Sequence, residues 1–384
     1  MIRLVTNLFL VLLLVLSVGC GGGSGGESAT STTVTVESSP LAAGGNHTLA
    51  LKSNSTLFAW GLNNFGQLGD GTVANRLSPE QIGAATNWAA VFAGGNHTLA
   101  LKSDGTLWAW GLNASGQLGD GTFTNSLFPE KIGADTNWFA VSAGGNHTIA
   151  RKSDGTLWAW GLNTSGQLGD GTLDVKNVPK KIGTDTNWTT VAAGGSHTIA
   201  LKSDGTLWAW GFNNNGQLGD GTLDGKNVPE KIGTDTNWTA VSAGGNHTIA
   251  LKSDGTLWAW GLNNFGQLGD GTIINSTVPE KIGTDTNWTA VSAGGNHTLA
   301  RKSDGTVRAW GLNTSGQVGD GTITNRLDPV QIGGTGTNWT TVSAGGNHST
   351  AMKTGGTLWT WGLNTSGQLG DGTFTNKTVP EQIQ

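Results

Sequence analysis

A unit of 50 residues recurs seven times from Ala43 onward, and this periodicity limits the possible folds more than any other feature of the chain. One extra residue within the stretch Gly334–Gly336 lengthens the last interval to 51 residues. Such periods are typical of solenoids, propellers and arrays, in which each unit buries its apolar surface against its neighbours. The histidines of the chain mark the starts of the seven units: His47, His97, His147, His197, His247, His297 and His348.

Each unit contains four short segments that are typical of β-strands. In the second unit, Asn96–Leu101 and Thr106–Gly111 flank Lys102–Gly105, whose Asp-Gly pair favours a tight hairpin. Further strands are expected at Pro129–Ile132, which a proline opens as on a sheet edge, and at Trp138–Val141. No segment shows a helical period. Four strands in each of seven units predict an all-β fold, a seven-bladed β-propeller of four-stranded blades.

The third segment of the unit is apolar on both faces. In Leu107–Trp110, strand periodicity places the two tryptophans on one face and the leucine and alanine on the other, as expected for a blade packed between two neighbours. The second tryptophan is present in every unit, whereas the first is replaced by Phe58 and Arg308. We therefore expect the second tryptophan to lie in the core and the first to reach solvent, at least in the sixth blade.

The two ends of the repeat array suggest how the ring closes. The last unit stops at Gln384 before any Thr-Asn-Trp segment, while Leu41 lies in register with Val91 of the next unit. One strand is thus missing at the end and one is spare at the start. The segment Val34–Ala42 is predicted to pair with the C-terminal blade and close the ring.

The N-terminus resembles an export signal. Arg3 precedes the apolar run Leu8–Leu16, which at nine residues is too short to span a bilayer. Leu16–Cys20 reads Leu-Ser-Val-Gly-Cys and resembles a bacterial lipobox, although Ser17 departs from the commonest residue. The chain's one cysteine, Cys20, is therefore the predicted lipidation site, and an ordinary signal peptide is the alternative. The expected division is a signal peptide (1–19), a flexible Gly/Ser tether (20–32) and a propeller (33–384).

Composition excludes several classes of protein. The 64 glycines have no period of three, which excludes collagen, and a net charge of −5 with 12% charged residues excludes charge-driven disorder. The acidic balance argues against a nucleic-acid partner, because nucleic acids select basic surfaces.

The repeat closely resembles the regulator of chromosome condensation repeat over about Leu41–Ile383. The resemblance rests on Ala-Gly-Gly-x-His-Thr/Ser, Leu-Trp-x-Trp-Gly-x-Asn and Gly-Gln-Leu-Gly-Asp-Gly. It implies a seven-bladed propeller in a family that includes a nuclear GTPase exchange factor, a plant UV-B photoreceptor and a secreted β-lactamase inhibitor. Units of 50 or 51 residues leave no room for the insertion ascribed to the exchange factor, so the exported inhibitor is the closer analogue.

Residues that could carry chemistry are mostly copied around the ring. Of 26 acidic residues, 21 occupy repeated positions, and within the ring only Asp174, Asp224 and Asp328 break the pattern. An active site needs different side chains at one place, so we predict no catalytic residues, metal or cofactor. The histidines are expected to form hydrogen bonds at the inner strand, because equivalent atoms around seven blades lie too far apart to share an ion. Gly119–Thr122 (Gly-Asp-Gly-Thr) is expected to be a turn rather than a calcium loop.

The units differ mainly at Asn-x-x-Gly and in the six residues after Gly-Asp-Gly-Thr, such as Phe123–Phe128. A fixed framework with varied loops is typical of a recognition surface, and unconstrained drift is the alternative. Only Phe65, Phe265 and Phe128 resemble binding anchors. The sequence predicts a monomeric, lipid-anchored envelope scaffold for a protein or envelope ligand. The alternatives are a propeller enzyme acting on polysaccharide and a regulator resembling a guanine-nucleotide exchange factor.

Overall fold

The computed structural model describes residues 36–333 and 336–383, and these form a seven-bladed β-propeller. Each blade is a four-stranded antiparallel sheet whose strands follow one another in chain order, so the predicted fold class is confirmed. The described residues contain no helix, and hence no helix that could cross a membrane.

The strands fall into four classes by their distance from the axis. The innermost strands are β1 (Leu41–Ala43), β5 (Trp88–Ala93), β9 (Trp138–Ala143), β13 (Trp188–Ala193), β17 (Trp238–Ala243), β21 (Trp288–Ala293) and β25 (Trp339–Ala344). The second strands are β2 (His47–Leu51), β6 (His97–Lys102), β10 (His147–Lys152), β14 (His197–Lys202), β18 (His247–Lys252), β22 (His297–Lys302) and β26 (His348–Lys353). The third strands are β3 (Leu57–Gly61), β7 (Leu107–Gly111), β11 (Leu157–Gly161), β15 (Leu207–Gly211), β19 (Leu257–Gly261), β23 (Val307–Gly311) and β27 (Leu358–Gly362). The outer strands are β4 (Arg76–Gln81), β8 (Ser126–Lys131), β12 (Lys176–Ile182), β16 (Lys226–Ile232), β20 (Ser276–Ile282), β24 (Arg326–Gln331) and β28 (Lys377–Ile383).

Both faces of the third strand are used in packing between blades, as the sequence predicts. Trp110 is fully buried against Leu57 and Leu68 of the preceding blade. Leu107 of the same strand faces the other way and packs with Trp160 of the following blade. The first tryptophan of each pair is only partly buried, and Arg308 likewise takes a half-buried position in the sixth blade.

The predicted closure by strand exchange is wrong. The N-terminal strand β1 pairs with β2 in the first blade, and the seventh blade is built entirely from β25 to β28. The register of Leu41 with Val91 is confirmed, because these residues pair with Ala50 and Ala100. The error lies in the blade phase, that is, in the residue at which one blade ends and the next begins. The Thr-Asn-Trp segment is the innermost strand of the following blade, so no strand is missing at the end.

The residues before β1 run across the second and third blades. The carbonyl of Ser39 accepts a hydrogen bond from the Val91 amide at 2.9 Å, and the Glu37 amide donates to the Phe139 carbonyl at 3.0 Å. Val36 packs against the apolar cluster between the second and third blades. This segment therefore ties three blades together rather than joining the first to the last.

The proline of each unit lies within the outer strand rather than opening it. β8 begins at Ser126, and Pro129 lies where its pairing with β7 is interrupted between Ala109 and Gly111. The predicted edge position is confirmed, because β8 is the last strand of its sheet. A residue that has no amide hydrogen to donate is tolerated at such an irregular edge.

Alternation of strand direction gives the propeller two different faces. The Gly-Gly turns between the first and second strands and the long loops between the third and outer strands emerge together, and we name this the upper face. The Ser-Asp-Gly turns and the Thr-Asn segments between blades emerge on the opposite side, the lower face.

Candidate functional site

A ring of backbone hydrogen bonds surrounds the upper end of the central channel. The amide of the second glycine in each Gly-Gly turn donates to a glycine carbonyl in the next blade, from Gly45 to Gly94 and finally from Gly346 back to Gly44, at 2.9–3.1 Å. The space inside this ring is about 160 Å³. A Cβ atom added to Gly45 would overlap the carbonyl of Gly95, which explains the need for glycine.

The seven histidines form a second ring of bonds between blades, so their predicted hydrogen-bonding role is confirmed. His47 Nε2 lies 3.0 Å from Thr98 Oγ1, and the same contact spans every pair of neighbouring blades at 2.9–3.2 Å. The Thr98 hydroxyl donates its one hydrogen to the Gln67 carbonyl at 2.7 Å. His47 must therefore donate from Nε2, which fixes its neutral tautomer. The histidines begin the second strands rather than the innermost ones.

Burial keeps these imidazoles uncharged. Loss of solvation lowers the pKa of His47 to about 4 and that of His197 to about 3. The described residues contain no group of three or more His, Cys, Asp or Glu side chains that could hold a metal ion.

The Gly-Asp-Gly-Thr segment is a turn, as predicted, and its own carboxylate holds it. Asp70 Oδ1 accepts hydrogen bonds from Asn63 Nδ2 at 3.0 Å and from the amide and hydroxyl of Thr72 at 2.9 and 2.8 Å. Burial alone raises the pKa of Asp70, but the bonds from Thr72, Arg76 and Asn63 bring that pKa below its usual value. The aspartate is thus committed to shaping the loop.

These fixed loops present a ring of exposed apolar side chains on the upper face. The residue after each Gly-Asp-Gly-Thr is apolar in all seven blades, and 55–63% of its surface is exposed. We name this ring the apolar rim; it consists of Val73, Phe123, Leu173, Leu223, Ile273, Ile323 and Phe374.

A second set of exposed apolar residues adjoins the rim. The residue before the proline of the outer strand is apolar in five blades, and Phe128, the largest, is 60% exposed beside Gly71 of the neighbouring loop. Of the three predicted anchors, Phe128 is therefore exposed, whereas Phe65 and Phe265 are half-buried. The loops that carry the rim were predicted as a variable surface, but the apolar ring within them was not recognised, because the residue at this position differs from unit to unit. The signal that could have revealed it is a single position that changes residue yet stays apolar in seven units.

The three acidic residues that break the repeat lie on different blades. Asp174 and Asp224 lie in upper-face loops of the third and fourth blades, and Asp328 lies in β24 of the sixth blade. Asp174 is 82% exposed and lies 3.8 Å from Lys176 Nζ. The structure does not bring these carboxylates together into a site. Cys20 and the leader lie outside the described residues, so lipidation stays a prediction.

Comparison with known families agrees with this architecture. Residues 17–247 match the RCC1-like domain, and residues 254–301, 304–352 and 355–384 match the regulator of chromosome condensation (RCC1) repeat. The chain belongs to the RCC1 repeat family. The resemblance identified from the motifs is thereby confirmed.

Three solved structures superpose on most of the chain. Human WBSCR16 is 23% identical with a TM-score of 0.78, over 86% of this chain and 94% of that one. Yeast RCC1 (Prp20) bound to Kap60 is 22% identical with a TM-score of 0.78, over 96% and 91%. Prp20p from Saccharomyces cerevisiae, in a structure reported with its binding properties to Gsp1p and histones, is 25% identical with a TM-score of 0.77, over 91% and 87%.

Proposed function

We propose that this RCC1-family propeller is a non-catalytic binding scaffold that recognises a protein ligand through its apolar rim. The observation that carries the proposal is that seven consecutive blades expose an apolar side chain at one equivalent loop position. Large exposed apolar patches are uncommon on monomeric proteins and mark interaction sites. The position varies among valine, leucine, isoleucine and phenylalanine, so the rim offers a different contact on each blade.

The loops beneath the rim suit a binding role because they are already ordered. The carboxylate of Asp170 holds the third loop through Thr172 and Asn163, and Lys176 Nζ lies 3.4 Å from the same carboxylate. A preorganised loop loses little conformational entropy when a ligand binds. The exposed rings of Phe123 and Phe128 supply the aromatic anchors that dominate many interfaces.

The binding test compares rim variants with a matched control. The mature propeller should retain a stoichiometric protein from envelope extracts, and Phe123→Ser with Phe128→Ser should weaken that complex at least tenfold. The control, Lys231→Ser with Lys281→Ser, changes two exposed side chains near the lower face and should leave binding unchanged. Equal binding by the two double variants would contradict the proposal. Hydrolysis of an envelope polysaccharide that is lost in Asp174→Asn, Asp224→Asn or Asp328→Asn would favour the enzyme instead.

The scaffold is proposed to act at the cell envelope, held by a lipid on Cys20. The support is the sequence of the leader and the presence of a single cysteine after it. Cys20→Ala should move the protein from the membrane fraction to the soluble fraction after lysis, whereas Ser24→Ala should not. Retention of the Cys20→Ala protein on membranes would contradict lipid anchoring.

A further inference from the structure

The contact between the seventh and first blades lacks a side chain that fills the other six contacts. Every innermost strand except β1 begins with a buried tryptophan: Trp88, Trp138, Trp188, Trp238, Trp288 and Trp339. The corresponding position in the first blade is Ser38, because Leu41 and Val91 occupy the same register.

In a regular contact, the tryptophan lies between two blades. Trp138 is 1% exposed and packs on Leu107 and Ile132 of the preceding blade. Its ring meets Trp158 of its own blade edge to face at 6.0 Å, and Lys152 Nζ lies 4.7 Å above it. These neighbours enclose the indole on both sides and cover it from solvent.

The backbone of that tryptophan is also held by the preceding blade. The Trp138 amide donates to the Gly105 carbonyl at 3.2 Å, in the Ser-Asp-Gly turn. The same bond is made by Trp238, Trp288 and Trp339. The segment just before the tryptophan covers the turn, because a Cβ atom on Gly105 would overlap the Thr136 carbonyl.

The contact between blades seven and one keeps the walls but has an open cleft of about 650 Å³. Its walls are the counterparts of those around the other tryptophans, with three residues from each blade: Met352, Leu358, Ile383, Lys52, Phe58 and Trp60. Leu358 is only half-buried, whereas its counterparts Leu107 and Leu157 are fully buried. Lys52 is exposed, whereas Lys152 is buried.

The turn that borders the cleft is also uncovered. A Cβ atom on Gly356, the counterpart of Gly105, would meet no atom within 4 Å. Within residues 36–333 and 336–383, no backbone amide donates to the Gly356 carbonyl. The described residues before β1, 36–40, do not cover this turn, because Ser39 pairs alongside Ala90 of the second blade.

We infer that this cleft binds the tryptophan side chain of an extended segment of a partner protein, which enters from the lower face and replaces the missing interblade indole. The cleft walls match six slots that each hold an indole, which defines the ligand chemistry. The residues of this chain before Ser38 contain no tryptophan, so the indole comes from another molecule. The uncovered Gly356 carbonyl favours a peptide over a free indole, because a peptide amide can pair with it. The site is independent of the apolar rim.

The probe is the acetylated, amidated peptide Thr-Asp-Thr-Asn-Trp, which copies residues 234–238. Binding to the full chain is measured by isothermal titration, with one site expected. Replacing the peptide's tryptophan with serine should weaken binding at least tenfold, and N-acetyl-tryptophanamide should also bind at least tenfold more weakly. Equal affinity of the serine peptide would overturn the indole site, and equal affinity of the amide would overturn the extended segment.

Two protein variants locate the binding site. Ser38→Trp introduces the missing side chain and should weaken peptide binding at least tenfold, whereas Ser253→Trp, in an exposed turn of the fifth blade, should not. Leu358→Glu places a charge on the cleft wall and should also weaken binding at least tenfold while the circular dichroism spectrum is retained. Unchanged affinity in both cleft variants would overturn the inference. Phe123→Ser should bind the peptide like the unmodified chain, so failure of this site and failure of the rim proposal are distinguishable.

Discussion

The imidazole Nε2 of His348 in the last blade lies 2.9 Å from the hydroxyl of Thr48 in the first. This bond joins residues 300 positions apart and is equivalent to the His47–Thr98 bond between the first two blades. The Thr48 hydroxyl in turn donates to the Gln368 carbonyl at 2.8 Å. The ring therefore closes through the same histidine–threonine bond that joins the other blades, without exchanging a strand.

The first prediction concerns the histidine ring. Thr198→Val should lower the free energy of unfolding by about 1–3 kcal/mol, because it leaves His147 Nε2 and the Gln167 carbonyl without their shared hydroxyl. Thr236→Val makes the same change at an exposed loop position and should have little effect. Urea unfolding measures both. Equal losses in the two variants would show that the buried hydrogen bonds of the Thr198 hydroxyl do not contribute to stability.

Acid should destabilise the propeller through the same histidines. In the folded state burial lowers the pKa of His97 and His247 to about 3, whereas an unfolded histidine titrates near 6.5. Below about pH 6.5 the unfolded chain therefore binds protons that the folded chain does not. The free energy of unfolding should have its full value above about pH 6.5. Toward pH 4 it should fall by up to about 1.4 kcal/mol per pH unit for each histidine.

Urea midpoints measured between pH 7.5 and 4.5 test this dependence. Asp70 and Asp170 do not account for a loss over most of that window, because the stability that their lowered pKa values provide is present above the unfolded aspartate value near 3.9 and is lost only at more acidic pH. A midpoint that stays constant from pH 7.5 to 5 would contradict the role assigned to the buried histidines.

A third prediction concerns the glycines that line the channel. Gly195→Ala should destabilise the protein by several kcal/mol, because its Cβ atom would overlap the rigid carbonyl of Gly245. Gly233→Ala has no atom within 4 Å of its Cβ and should cost only about 1–2 kcal/mol, the strain of a φ of +63°. Thermal unfolding of the two variants gives the comparison. A smaller loss for Gly195→Ala would mean that neighbouring turns can move apart.

The tryptophan between blades should matter more than the one near the surface. Trp238→Ser removes a side chain that is 4% exposed and packed between two blades, and should cost about 3–5 kcal/mol. Trp208→Ser changes a half-buried position that is phenylalanine or arginine in other blades, so the loss should be smaller. Ser38→Trp makes the reverse change and should raise the melting temperature. Equal losses from the two tryptophan variants would contradict this ranking.

The sequence predicted the strands better than it predicted their grouping. Asp104 and Gly105 between two apolar runs predicted the hairpin of β6 and β7, because hairpins form from neighbouring residues. Nothing local distinguishes a blade that ends at Trp138 from one that begins there. The choice depends on whether Trp138 pairs back to Glu130 or forward to Lys152, and the structure shows the second pairing.

By itself, the sequence determined the blade number, the four strands of each blade and the two-sided packing of the tryptophan strand. These features follow from spacing along the chain, through hairpin turns and strand periodicity. Only the tertiary structure decided the blade phase, the exposure of Phe123 and the cleft beside Ser38. Each of these depends on residues from neighbouring blades, and between the first and last blades on residues about 300 positions apart. Because the repeat is nearly the same in every unit, it does not reveal which contact between blades leaves an open cleft.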